Sequence, residues 1–154
     1  MTPPAPALTH VFTAHVTVAP ARDLGPVGTG RRRIIPILGG TVSGPRLSGV
    51  VLDGGADWQV IRPDGTADLI ARYMLRASDG TLISVVNRGL RRGPPEVLAR
   101  LAAGEAVDPE AYYFRACPVF EAPPGPHAWL MDRVFLATGA RQAGAVVITV
   151  FAVG

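Results

Sequence analysis

Asp57 and Trp58 open a β-rich run directly after the turn Asp53-Gly54-Gly55. That position puts a carboxylate and an indole near the rim of a sheet or barrel. A carboxylate there can act as general acid or base, while an indole supplies an apolar wall and one hydrogen-bond donor. The plainer alternative is that Asp57 caps the turn and Trp58 belongs to the core. Tyr73 lies on the apolar side of the run Thr66 to Arg76, so its hydroxyl needs a buried partner or a ligand. Further along, in YYFRACPVFE, Tyr113 and Arg115 share one face and Tyr112 and Phe114 the other. A phenol and a guanidinium pointing together suit a carboxylate, enolate or phenolate, because arginine stays charged and donates in a fork. An ion pair from Arg115 to Glu121, which has the same parity, is the competing reading.

Asn87 shares parity with Ile83 and Val85, which sets an amide on an apolar face. It is either an orienting group or a turn-forming asparagine. The candidate catalytic set is therefore Asp57, Tyr73, Tyr113 and Arg115. Trp58, Asn87, Arg88, Glu121 and Trp129 form the candidate ligand-binding set. Arg31, Arg32 and Arg33 make the one charge run, which reads better as a solvated loop or a subunit salt-bridge patch than as a phosphate site.

Other chemistries lack their residues. His10, His15, His127 and the single Cys117 show no metal-ligand spacing, and one cysteine cannot close an intramolecular disulfide. The glycine-rich stretches match neither a phosphate loop nor a dinucleotide fingerprint, and no serine nucleophile elbow is present. No metal and no cofactor are expected.

The elements that must position these residues are mostly strands. Leu8 to Val18 alternates apolar and polar residues, as a half-buried strand does. Further β-rich runs span Arg33 to Ser43, Leu47 to Leu52, Asp57 to Arg62, Thr66 to Arg76 and Thr81 to Gly89. Turn signals divide them, among which Pro63-Asp64-Gly65 and Ser78-Asp79-Gly80 are the clearest. Ala19 to Gly30, with two prolines and three glycines, reads as a loop. Pro94 to Ala103 is the one convincing helix, opened by prolines and stopped by Gly104. Tyr112 to Glu121, Trp129 to Thr138 and Ala145 to Val153 complete the strands. The last is apolar on both faces, so its outer side should be covered by an oligomer contact or by the helix.

About nine or ten short strands joined as successive hairpins favour an up-and-down antiparallel β-barrel with one short helix, a sandwich being the alternative. A chain of 154 residues suits one domain, here 8–154 behind a disordered proline-rich tail over 1–7. A hydrophobic share of 48%, 18% charged residues and a mean hydropathy of +0.27 favour a folded chain. All 15 basic residues are arginine, but a net charge of +3 spread along the chain is no nucleic-acid footprint. No stretch is long enough to span a bilayer as a helix and the start does not resemble a secretory signal. A cytoplasmic protein without membrane or nucleic-acid partners is expected.

The segments GRRRIIPILGGTVSGP from Gly30, GGADWQVIRPDG from Gly54, ARYMLRASDGTLI from Ala71, NRG at Asn87, YYFRACPVFE from Tyr112 and WLMDRVFLATG from Trp129 occur in this order. Together they resemble the domain-of-unknown-function family numbered thirty-two thirty-seven, found in bacteria and fungi, over nearly the whole chain. The resemblance implies a calycin-like β-barrel with a central cavity, often assembled as a homo-oligomer. It brings no agreed substrate, cofactor or catalytic residue. Ala116 and Cys117 stand where small polar residues such as threonine are expected, and Ser84 where a larger one is common. Three functions follow as expectations. The first is binding of a small, partly aromatic or carbonyl-containing metabolite in the cavity. The second is a cofactor-independent isomerase, cyclase or lyase using Asp57 with Arg115, Tyr73 or Tyr113. The third is a non-catalytic assembly module with a filled barrel.

Overall fold

The computed structural model describes the whole chain, Met1 to Gly154. Ten strands form in chain order: β1 (Leu8–Val18), β2 (Arg22–Val27), β3 (Gly30–Ser43), β4 (Gly49–Val51), β5 (Ala56–Ile61), β6 (Ala67–Ala77), β7 (Leu82–Arg92), β8 (Tyr113–Glu121), β9 (Phe135–Gln142) and β10 (Ala145–Val153). They close into an antiparallel barrel, because β1 pairs with both β10 and β3. Eight positions suffice for the ring. β4 and β5 lie end to end between β3 and β6, and β1 and β2 lie end to end along β3. Closure leaves no long unpaired edge, which is how an all-β chain of this size avoids edge-to-edge association.

The alternation read in the sequence sets which side chains enter the barrel. Ala14, Val16 and Val18 of β1, Leu75 of β6, Ile83 and Val85 of β7, and Phe114, Ala116 and Phe120 of β8 are all buried. Two segments depart from the expected elements. Arg22–Val27, expected as loop, pairs with β3 across a register shift between Asp23 and Gly25. Its Pro26 is tolerated because β2 has a neighbour on one side alone. Trp129, expected within a strand, instead lies in a 3-10 turn, Ala128–Met131, and β9 begins later at Phe135.

The helix α1 (Pro95–Ala102) follows β7, with prolines at its start and Glu96 in its first turn. It does not lie along β10. Its Leu98 and Leu101 instead border a hollow with Ile61, Arg33, Arg91 and Arg141, so it covers one end of the barrel. The outer face of β10 keeps partial exposure at Val147, Phe151 and Val153. No helix is long and apolar enough to cross a membrane.

The two ends of the barrel differ in filling. Away from α1, Phe12, Phe120 and Phe135 meet edge to face at 5.9 and 5.0 Å between ring centroids, beneath the 3-10 turn that carries Leu130. Nearer α1 the interior opens, and the candidate site lies there.

Candidate functional site

The open end is built by strand parity. On β5 Asp57 and Gln59 point inward and Trp58 between them points out; on β7 Asn87, Gly89 and Arg91 share the inward face. β6 adds Leu69, Ala71 and Tyr73, and Arg141 enters from β9. These surround a chamber of about 50 Å³, walled by Val16, Ile35, Leu69, Phe114 and Ile148. That is room for a ligand group the size of roughly three to five water molecules. Under α1 a second hollow of about 290 Å³ shares Arg91 and Arg141 with the chamber and adds Arg33. Arg91 and Arg141 thus stand at the neck between the two, with Arg33 beside them on the side of the hollow.

Two glycines let the walls close in. A Cβ on Gly89 would come within 2.5 Å of the Arg115 carbonyl oxygen and 2.8 Å of Ala116. One on Gly139 would lie 2.6 Å from the Phe114 ring. Glycine at both positions lets strands and ring approach where a side chain would collide. Around Phe114 the β8 to β9 pairing is reduced to Arg115 with Thr138 and Ala116 with Ala137. The Arg141 backbone N–H compensates by donating to the Tyr112 hydroxyl at 2.8 Å, which holds the strand carrying Arg141 against β8.

The polar groups are under-satisfied. Gln59 Nε2 donates to Asp57 Oδ2 at 2.8 Å, while Asp57 Oδ1, Gln59 Oε1, Asn87 Oδ1, Arg33 Nε and Arg141 Nε are buried without a partner. The chain has six such atoms, and five of them gather here; the sixth is His127 Nδ1. Buried polar groups are ordinarily paired, so this clustering marks a place where something else supplies the hydrogen bonds. Burial raises the Asp57 pKa above its ordinary 3.8, against the Gln59 hydrogen bond and the attraction of Arg91, Arg141 and Arg33. Burial also pushes the Tyr73 phenol up, with the Asp57 charge adding to the effect. Burial, then repulsion from Arg141 and Arg33, lowers Arg91 to about 10, which leaves it charged at neutral pH. Arg141 is lowered for the same reasons, burial first. Arg91 rests over the Phe114 ring, 5.8 Å from its centroid.

Of the candidates from the sequence, the structure brings Asp57, Tyr73 and Asn87 together. Asp57 does not cap a turn: it sits within β5, opposite Ile35 and Ala71. Asn87 is no turn residue either, being 6% exposed in the middle of β7. The others are not at the chamber. Tyr113 and Arg115 project outside the barrel, because the face they share alternates with Phe114 and Ala116, which the core takes in. Arg115 bonds its own strand, donating to the Phe114 carbonyl oxygen at 2.9 Å, and lies 5.2 Å from the Tyr113 centroid. It makes no ion pair with Glu121, which accepts a long 3.4 Å bond from Ser84. Trp58 is 46% exposed, and Arg88 and Glu121 are exposed on the outer face. Trp129 packs against Phe135 at the filled end, with Arg46 3.7 Å above its ring. His127 meets Asp79 there at 2.9 Å.

Four site residues went unrecognised in the sequence. Gln59 has the parity of Asp57 and Arg91 that of Asn87, a signal that was present. Arg91 was masked by ending the strand at Gly89, and Arg33 by reading the arginine run as one unit. Arg31 indeed pairs at the surface with Asp23 at 2.7 Å, whereas Arg33 turns inward. Arg141 follows Ala140, three residues beyond the expected strand end at Thr138, and carried no local signal.

The family model described as "Protein of unknown function (DUF3237)" matches residues 6–153. The chain belongs to this family. A UPF0311 protein of Rhodopseudomonas palustris is 46% identical over 141 residues, 92% of each chain. The crystal structure of that DUF3237 relative superposes with a TM-score of 0.94, covering 99% of this chain and 100% of the other at 43% identity. A barrel-like protein of Acinetobacter baumannii gives a TM-score of 0.87 at 37% identity over 99% of both chains. The fold alone extends to an enzyme of Penicillium herquei, at 20% identity and a TM-score of 0.74 over 100% of this chain and 98% of that one.

Proposed function

We propose that this DUF3237 protein binds a small carbonyl-containing or aromatic metabolite in the chamber beneath α1. The observation that carries this reading is the gathering of four unpartnered buried polar atoms, on Asp57, Gln59, Asn87 and Arg141, inside apolar walls, with a fifth on Arg33 in the adjoining hollow. Such a combination fits a ligand pocket, where a few convergent polar groups orient a mostly apolar guest. It disfavours the filled assembly module, whose interior would be packed along its whole length. The short side chains of Ala71 and Ala116 in the lining support the same reading. Self-association through the outer face of β10 belongs to this proposal and is checked by light scattering across concentrations.

The test is a calorimetric screen of small carbonyl and aromatic metabolites against wild type and Ala116→Leu, which places a larger side chain in the chamber. Saturable binding lost in the variant is expected. Binding that the variant leaves intact would put the ligand elsewhere.

A second reading is favoured by Asp57. A carboxyl group whose pKa burial raises, with an unused oxygen and a phenol close by, suits proton transfer to or from a bound substrate without a cofactor. Isomerisation, cyclisation and elimination are the matching reaction classes. The arginines at the neck would stabilise developing oxyanion charge in the place first assigned to Arg115. That a similarly folded protein of Penicillium herquei is described as an enzyme supports catalysis in a barrel of this shape. Asp57→Asn should then remove turnover and leave binding in place.

A further inference from the structure

Four ion pairs exist in this chain: Asp23 with Arg31, Asp68 with Arg62, Glu105 with Arg100, and Asp79 with His127. All lie outside the chamber. Arg33, Arg91 and Arg141, the three guanidinium groups at its neck, take part in none of them. Asp57 is the one carboxylate in the chamber lining, and no arginine nitrogen comes within 4.0 Å of it. Three cations therefore share a partly buried site with at most one negative charge, itself bonded to Gln59. Gathering like charges away from water is unfavourable unless a counter-charge arrives, and the aliphatic packing they provide could come from uncharged side chains.

We propose that the ligand is a small organic anion, whose carboxylate or enolate oxygen docks among Arg33, Arg91 and Arg141. This rests on the reading that the chamber binds a small molecule, and narrows it from carbonyl compounds in general to negatively charged ones. The geometry supplies the rest of the recognition. Arg91 is braced by the Phe114 face and Arg141 by the Tyr112 hydroxyl bond to its backbone, so two forked donors are presented from fixed strands. Arg33 approaches from β3, opposite Gln59 of the neighbouring strand. The chamber itself admits a group of only a few heavy atoms. A larger body would extend into the hollow beneath Leu98 and Leu101. The chemistry is the one the sequence suggested for Arg115, carried by different arginines.

The test compares acids with their neutral amides by NMR titration of the full chain at fixed sodium concentration. The probes are acetate and acetamide, then 3-phenylpropanoate and 3-phenylpropanamide. The acids are expected to shift the backbone amides of Asn87, Gly89, Arg91 and Arg141 saturably, with at least tenfold tighter binding than the amides. Arg91→Met and Arg141→Gln should each weaken the acid tenfold or more and leave the amide unchanged, the spectrum itself reporting that each variant is folded. Amides that bind as tightly as acids, or acid binding unaffected by both substitutions, would overturn the anion while leaving a barrel ligand in place. No shift at these residues with any probe would overturn both readings together.

Discussion

At one end of the barrel Phe12, Phe120 and Phe135 meet edge to face with nothing polar among them. At the other, Asp57, Gln59, Asn87 and Arg141 turn inward with polar atoms unpaired. The same strands build both ends. β7 passes from Ile83 and Val85, each at most 1% exposed, to Asn87, Gly89 and Arg91 within a few residues, all on one face. The contrast teaches that stability and binding are separated along the barrel axis. The filled end supplies the tightly packed apolar contacts that fix the ring, and the hollow end can then carry unfavourable charge and space without opening the fold.

Substitutions at the two ends should therefore behave differently, and the largest effect belongs to the filled one. Phe135→Ala leaves a cavity among aromatic rings and should cost about 3–5 kcal/mol in urea denaturation, without altering ligand affinity in the folded fraction. A cost below about 1 kcal/mol would mean that this end is less tightly packed than described.

At the hollow end Asp57→Asn should stabilise the protein at neutral pH, on the order of 1 kcal/mol, by removing a carboxylate that burial disfavours. The sign follows from the raised folded pKa. Wild type binds its proton more tightly folded than unfolded. The contribution of Asp57 to stability is therefore fully present below the ordinary carboxyl value of 3.8 and is lost as pH rises through the higher folded value. The advantage of the asparagine variant should appear over that same rise and vanish in acid. A variant less stable than wild type at neutral pH would make Asp57 a structural acceptor.

Ala116→Leu offers a sharper contrast. Extra volume in a filled core usually costs about 1–3 kcal/mol, whereas here the side chain has space and the change in stability should stay within about 1 kcal/mol while ligand binding disappears. The smallest effect should come from Arg115→Met on the outer face, within about 0.5 kcal/mol and without effect on acid titrations.

Much of the barrel could be read from the sequence because alternation and turn chemistry are local signals. β1 and the hairpin of β6 and β7 are written in period-two runs broken by residues such as Ser78-Asp79-Gly80. The ends of strands were less legible. Arg91 and Arg92 extend β7 past Gly89 because β6 continues to pair as far as Arg91 and β8 as far as Arg92, and that is a tertiary fact. Inwardness was the harder part of the site. Alternation separates Phe114 from Arg115 but does not say that the side chosen by β8 excludes a guanidinium while those of β7 and β9 admit one. The difference lies in position along the axis: Arg91 and Arg141 stand near the mouth, where the stem can be buried and the charged head reaches the opening. Trp58 and Trp129 illustrate the same limit, since an indole suits a rim, a core or a surface equally in sequence.

The account turns on whether the neck between chamber and helix holds an anion. A crystal structure of the protein grown with 3-phenylpropanoate tests this directly. The account predicts electron density for the acid inside the barrel, its carboxylate within hydrogen-bonding distance of Arg91 and Arg141 and its ring directed beneath α1. An interior without the acid, with both guanidinium groups turned to solvent or paired with carboxylates of the chain, would contradict it.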